Sequence, residues 1–151
     1  MVSSGLDSST AILKHRASGY SGPNMAAEYF DPSTLSGAGG MYSTSEDLLR
    51  WDQALYTTTL LSRESLDLMF TPHVEFHEGG PGHLVHYGYG WFMDNLFGQD
   101  EIDHGGHVNG FDSAIIRFPN VKITVIVLSN REDTPSWEIA KAISGMIFEQ
   151  E

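Results

Sequence analysis

The chain contains no cysteine, so neither disulfide bonds nor thiolate chemistry can contribute to its fold or activity. Basic residues are also scarce, since 8 Lys and Arg stand against 20 Asp and Glu and give a formal net charge of −12. Nucleic acids and anionic membrane surfaces require a basic protein surface, and this balance argues against both as partners. No apolar run approaches the ~20 residues of a membrane-spanning helix, so no membrane span is predicted.

The order of the predicted elements favours an α+β fold in which an antiparallel β-meander packs against helices. A chain of 151 residues suits one domain, which we expect to span 1–151. Residues 1–40 are rich in Ser, Gly and Pro and predict loops and short strands. Residues 41–72 have helical character, residues 73–130 are rich in β-forming residues, and residues 134–150 predict a closing helix.

Capping signals locate the first two helices. Ser43 and Glu46 have the spacing of a capping box, which predicts a helix from about Thr44 to Tyr56. A second helix is expected to begin after Ser62. It should end before Pro72, because proline disfavours helical conformation in the residue that precedes it.

The C-terminal helix is expected to begin with Thr134 as its cap and Pro135 at its first position. Apolar residues then recur at helical spacing and predict the face that packs on the sheet. This stripe consists of Ile139, Ala142, Ile143, Met146 and Ile147.

Histidines flank a glycine-rich loop, EGGPG, and raise the possibility of a metal site. If this five-residue loop closes a regular hairpin, His77 faces His83 and Glu75 faces Val85. Side chains alternate along a strand, so His73, Glu75 and His77 would share one face with His83, a donor set that suits Zn²⁺. The alternative is a solvated hairpin with scattered histidines.

The segment DHGGHVNGF places two adjacent glycines, Gly105 and Gly106, inside a predicted strand. Glycine weakens a strand because it has no side chain to pack and loses the most backbone entropy on folding. Such a doublet is typical of a place where a ligand or another backbone comes close. The alternative is a β-bulge or corner with a surface histidine, and Asn109-Gly110 predicts a tight turn.

Four segments, in order, resemble the C-terminal half of serine β-lactamase-related hydrolases, the group of class C β-lactamases, D-alanyl-D-alanine peptidases and related esterases. They are GAGGMYSTSEDLLRWDQALYTTTLLSRESLDLMFTPH, YGYGWF, DHGGHVNGF and KITVIVLSN. The resemblance covers nearly the whole chain and implies part of a β-lactamase/transpeptidase-like fold. It also implies hydrolysis of an amide, lactam or ester bond through an acyl-enzyme on serine, without a cofactor.

This family uses three active-site motifs: Ser-x-x-Lys, then Tyr-x-Asn or Ser-x-Asn, then Lys or His followed by a small residue and Gly. His104-Gly105-Gly106 resembles the third. The resemblance implies that His104 hydrogen-bonds the substrate or the proton-transfer group and that the His107 N–H is one of two oxyanion donors. It also implies that Gly105 and Gly106 let the acyl group approach the strand, and that Tyr87 or Tyr89, here taken as Tyr89, contacts the substrate.

The first two motifs are absent from these 151 residues. The lysines Lys14, Lys122 and Lys141 are preceded at three positions by Ala11, Pro119 and Glu138, and no Tyr or Ser has Asn two places later. Met1 to Asp7 resembles the family's sequence just after the second motif. We therefore expect Met1 to correspond to an internal methionine of a longer enzyme, and the chain to be inactive alone.

Two roles remain open for such a chain. A small acyl substrate would be its partner if the nucleophile-bearing half were supplied. Alternatively, the chain is a non-catalytic binding or interaction module. The family's sheet has further strands that this chain is expected to lack. Their absence would leave a sheet edge exposed, which favours a homo-oligomer or domain swap.

Overall fold

The computed structural model describes residues 1–77 and 84–148, and it confirms an α+β fold built on an antiparallel meander. Three α-helices are present in these ranges: α1 (Ser45–Ala54), α2 (Arg63–Met69) and α3 (Ser136–Phe148). A 3₁₀ helix covers Pro32–Ala38. None of the helices in the described ranges has the length and apolar character needed to span a membrane.

The strands include four very short ones in the first third of the chain: β1 (Gly5–Leu6), β2 (Tyr20–Gly22), β3 (Met25–Ala26) and β4 (Met41–Tyr42). The others are β5 (Val74–His77), β6 (Leu84–Tyr87), β7 (Phe92–Leu96), β8 (Gln99–Val108), β9 (Phe111–Phe118) and β10 (Ile123–Ser129). Strands β1 and β4 pair, as do β2 and β3. The six later strands form one sheet in the order β10-β9-β8-β7-β6-β5, so each strand pairs with its neighbours in sequence.

Helices cover both faces of the large sheet, and the alternation of side chains along β9 supplies both cores. Ile116 is buried in a cluster with Ala140 of α3. The next residue back, Ile115, belongs to a second cluster with Leu55 and Leu66 from the α1 and α2 segments. The sheet is therefore a central layer, and its strands are fixed from both sides.

The cap of α1 is one residue later than the sequence predicts. Thr44 has extended backbone angles, and its hydroxyl accepts from the Asp47 N–H at 3.2 Å, so Thr44 is the cap. The Ser43 hydroxyl instead lies 2.7 Å from that of Ser4. The predicted start of α2 after Ser62 is confirmed, and Ser62 caps the helix by accepting from the Ser65 N–H at 3.1 Å.

The predicted buried stripe of α3 is wrong. Ile139, Ile143 and Ile147 are 39%, 40% and 44% exposed. The face that packs on the sheet is formed by small residues instead: Ser136, Ala140, Ser144 and Gly145. Ser144 is tolerated there because its hydroxyl donates to the Ala140 carbonyl at 2.9 Å. The apolar stripe of α3 therefore remains on the surface.

The hairpin of β5 and β6 has a register one residue from the predicted one. His77 pairs with Leu84 and Glu75 pairs with His86, whose Nδ1 lies 3.5 Å from Glu75 Oε1. The predicted partner His83 lies outside the described residues. His73 is engaged elsewhere, since its Nε2 lies 2.9 Å from the Leu68 carbonyl. Within residues 1–77 and 84–148, no three His, Asp or Glu side chains are arranged to hold a metal ion.

Candidate functional site

The glycine doublet lies where β8 extends past its neighbour. Strand β7 pairs with β8 only as far as Phe92 opposite Asp103. The pairing with β9 continues to Val108 opposite Phe111. Residues 104–108 therefore have β9 on one side and lie beyond the last paired residue of β7 on the other.

The two turns that flank β8 determine which peptide groups face this edge. Phe97-Gly98 joins Leu96 to Gln99, and Asn109-Gly110 joins Val108 to Phe111. Residues that flank a two-residue turn form a hydrogen-bonded pair, and such pairs alternate along an antiparallel ladder. Both turns give the same result: odd-numbered residues of β8 direct their N–H and C=O groups towards the β7 side. The peptide groups of Gly105 and His107 therefore point out from the edge beyond β7.

Internal packing does not account for both glycines. A Cβ at Gly106 would lie 2.8 Å from Ser113 Oγ, which is too close without a shift of the hydroxyl. A Cβ at Gly105 would meet the Ser113 carbonyl oxygen at 3.5 Å, an ordinary contact. Residues 105 to 107 are exposed, so the edge is accessible to a ligand.

The hairpin tip next to the doublet is held in place by the first third of the chain. The predicted turn at Asn109-Gly110 is confirmed, and Gly110 has a φ of +82°. Its N–H donates to Glu132 Oε2 at 2.7 Å, and its carbonyl accepts from the Tyr20 N–H at 3.3 Å. A Cβ at Gly110 would lie 2.6 Å from the Gly19 Cα, so only glycine fits.

A cavity of about 350 Å³ lies beside the doublet, between β8 and the N-terminal end of α3. Its lining includes three of the predicted site residues, Gly105, Gly106 and His107. The other lining residues are Asp112, Ser113, Thr134, Pro135, Ser136, Trp137 and Glu138. The structure thus brings the doublet and His107 together around one opening.

Asp112 links the cavity wall to α3. Its Oδ2 lies 3.1 Å from His107 Nδ1, and its Oδ1 accepts from the Ser136 N–H at 3.1 Å. Asp112 was not among the residues predicted from the sequence. The signal was present, because a two-residue turn at Asn109-Gly110 places His107 opposite Asp112.

His104 is not among the residues that line this cavity. Its Nδ1 lies 2.6 Å from the Gly105 carbonyl oxygen, and its Nε2 lies 3.3 Å from the Tyr87 hydroxyl. The Phe92 ring is also close, with its centroid 5.5 Å from that of the imidazole. Its role towards a substrate therefore stays a prediction.

Tyr89 also lies apart from the cavity lining. Its ring packs on the His73 ring with centroids 4.5 Å apart, and its N–H donates to the Met69 carbonyl at 3.1 Å. These contacts anchor the segment between β6 and β7 to the end of α2. The predicted contact of Tyr89 with substrate stays a prediction.

Two acidic side chains are buried on β8 just before the motif. Glu101 and Asp103 are 3% and 8% exposed. Burial and then the negative charge of Asp103 raise the pKa of Glu101 to about 9, while Lys141 acts weakly in the opposite direction. Glu101 is therefore neutral at physiological pH. This pair was not predicted from the sequence, because burial of an acid is not visible in composition.

Comparison with known proteins gives a consistent result. A family model described as Beta-lactamase matches residues 1–143. The chain is 34% identical over 119 residues to penicillin-binding protein 4* of Bacillus subtilis (strain 168). That match covers 77% of this chain and 26% of the other protein, so the chain spans about a quarter of that relative's length.

Solved structures show the same fold. A penicillin-binding protein from Bacillus halodurans superposes with a TM-score of 0.74 at 22% identity, covering 95% of this chain and 44% of that one. An octameric penicillin-binding protein homologue from Pyrococcus abyssi gives a TM-score of 0.69 at 25% identity, covering 77% of this chain and 26% of that one.

Proposed function

The chain belongs to the serine β-lactamase-related hydrolases, and from this premise we propose that it forms one wall of an acyl-transfer site for amide, lactam or ester substrates. The observation that carries the proposal is the exposed edge of β8, where the peptide groups of Gly105 and His107 point outward beside a cavity.

In the proposed mechanism the acyl portion of the substrate adds along this edge as an extra strand. The His107 N–H donates to the carbonyl oxygen, which becomes an oxyanion in the tetrahedral intermediate. A donor that is already oriented for this charge contributes about 2.7–4 kcal/mol to transition-state stabilisation. The missing side chain at Gly105 leaves room for the acyl group to lie against the backbone.

The nucleophile must come from outside these 151 residues, because they contain no Ser-x-x-Lys motif. The match to a quarter of one relative and to less than half of another supports this view, since those proteins have further chain that this sequence does not include. On this proposal the 151-residue chain binds acyl compounds weakly and does not react with them.

We therefore expect the isolated chain to give no covalent adduct with a fluorescent penicillin and no hydrolysis of a chromogenic cephalosporin. Loss of a catalytic serine costs on the order of 10⁶ in kcat, which is below detection in either assay. The measurement is in-gel fluorescence together with intact-protein mass spectrometry. A stoichiometric adduct on any serine of this chain would contradict the proposal.

A second candidate function is self-association, and the surface of α3 favours it. Ile139, Ile143 and Ile147 form an exposed apolar stripe on a helix that packs over β9 and β10. In the described part of the chain, β10 is an edge strand that pairs only with β9. Two copies could join their β10 edges around a twofold axis and cover both stripes.

This candidate predicts a dimer whose population rises with concentration in sedimentation equilibrium. Ile143→Glu should shift the chain towards monomer, because the substitution places a charge in the covered stripe. Leu49→Glu is the matched control, since Leu49 is 42% exposed on α1 and should not alter association. A parent chain that stays monomeric at millimolar concentration would rule out this interface.

A further inference from the structure

We propose that Tyr87 is a positioning residue for His104. The Tyr87 hydroxyl donates to His104 Nε2 and holds the imidazole as its Nδ1–H tautomer. The inference rests on the proposed function for its catalytic meaning, but the contacts that support it belong to this chain alone. It specifies the hydrogen-bonding role of His104: in this tautomer Nε2 accepts a hydrogen bond and does not donate one.

The His104 imidazole contacts the backbone of its own strand. Nδ1 lies 2.6 Å from the carbonyl oxygen of Gly105. A carbonyl oxygen can only accept a hydrogen bond, so Nδ1 must carry the proton. In a neutral imidazole the other nitrogen, Nε2, then has only a lone pair.

The Nε2 lone pair of His104 also has a partner. The Tyr87 hydroxyl lies 3.3 Å from Nε2, in a part-buried position. A nitrogen without a proton must accept, so the phenol O–H is the donor. The two contacts of the imidazole agree on one tautomer, and each fixes one side of the ring.

The Tyr87 and His104 side chains meet where the pairing of β7 with β8 ends. Tyr87 pairs with Phe92, and Phe92 pairs with Asp103, the residue before His104. The Phe92 ring packs beside both, with its centroid 4.7 Å from the Tyr87 ring and 5.5 Å from the imidazole, while those two centroids are 6.3 Å apart. The three rings thus form one cluster at the beginning of β7.

The consequence concerns proton transfer in the proposed acyl-transfer site. A neutral His104 in this state offers no N–H to a substrate, because its one N–H is bonded to Gly105. It offers an Nε2 lone pair that is already bonded to a phenol. When the Tyr87 oxygen takes up a proton, its own O–H proton can pass to Nε2, which leaves a neutral phenol and a positively charged imidazole still bonded to Gly105.

Long-range ¹H–¹⁵N spectra of the histidine-labelled 151-residue chain test the inference, at a pH where the imidazoles are neutral. We expect the His104 signals of the parent chain to show a protonated Nδ1 and an unprotonated, hydrogen-bonded Nε2. Tyr87→Phe should move the Nε2 shift and lower the ratio of the Nδ1–H to the Nε2–H tautomer roughly two- to twelvefold, the range for loss of one neutral hydrogen bond.

Tyr89→Phe is the matched control, because Tyr89 packs on His73 and its change should leave the His104 signals in place. The inference is overturned if the parent His104 is mainly the Nε2–H tautomer, an outcome that needs no variant to fold. It is also overturned if a folded Tyr87→Phe chain has unchanged His104 signals. None of these readouts depends on binding of an acyl compound, so failure of the proposed function would be seen separately.

Discussion

Replacing Arg117 with alanine should lower the free energy of unfolding by about 3–5 kcal/mol, the cost of breaking a buried ion pair from one side. Arg117 and Asp52 are 1% and 3% exposed, and Arg117 Nε lies 2.5 Å from Asp52 Oδ1. The guanidinium also lies 5.2 Å from the Phe70 ring and 5.3 Å from the Trp91 ring. The substitution would leave a buried carboxylate without its cation and a cavity among aromatic rings.

This ion pair matters for the site because Arg117 is on β9, opposite Ile102 of β8. The ion pair connects α1 to β9, the strand that pairs with β8 along the glycine doublet. Urea unfolding followed by circular dichroism measures the effect. Arg131→Ala is the control, since the Arg131–Asp133 pair is exposed and should contribute no more than about 1 kcal/mol. Equal losses in the free energy of unfolding for the two variants would show that burial does not determine the cost of breaking an ion pair.

Glu101→Gln should make the chain more stable, and the gain should increase with pH. The pKa of Glu101 is about 9 in the folded chain, raised from an ordinary value of 4.5 by burial and by the charge of Asp103. Between these two values the folded state binds a proton that the unfolded state has released. Stability therefore falls as pH rises through this window, by about 3 kcal/mol at neutral pH.

Glutamine keeps the size and the hydrogen-bonding capacity of the protonated acid but does not titrate. We expect the variant and the parent to have similar free energies of unfolding at about pH 4.5, and the variant to be clearly more stable at about pH 8. Urea unfolding across this range gives the measurement, with Glu28→Gln as an exposed control. Parallel stability curves for parent and Glu101→Gln would contradict the assignment of a neutral buried acid.

Local chemistry in the sequence was enough to place α2, whose predicted start after Ser62 is confirmed. It was not enough at α1, because Ser43 and Thr44 offer the same hydroxyl chemistry at adjacent positions. The cap is the residue with extended backbone angles directly before the helix. Here that residue is Thr44, and the helix begins at Ser45. Capping patterns thus find a helix more reliably than its first residue.

The face of α3 shows a different limit. The isoleucine stripe and the small-residue stripe have the same four-residue spacing, so periodicity predicts a packed face without telling which stripe forms it. Close approach of the helix to the sheet selects the small residues, and the space available is a property of the whole fold.

The candidate site was found only in part for a related reason. Gly105 and Gly106 were visible as a glycine doublet within a strand, His107 was implied by the family resemblance, and all three line one cavity. The contribution of Asp112 and the outward direction of the His107 N–H both depend on strand register. The turn at Asn109-Gly110 was predicted and is confirmed, but no register was derived from it, and the predicted register of the hairpin at His77 was one residue off.

The central claim is that the exposed edge of β8 binds an acyl group through its main-chain N–H groups. A titration of the ¹⁵N-labelled chain with benzylpenicillin at millimolar concentrations, followed through the backbone amide signals, tests it most directly. The account predicts that the outward-facing Gly105 and His107 amides shift together and saturate, without a covalent adduct. Unmoved signals at these two residues, with or without shifts elsewhere in the chain, would contradict it.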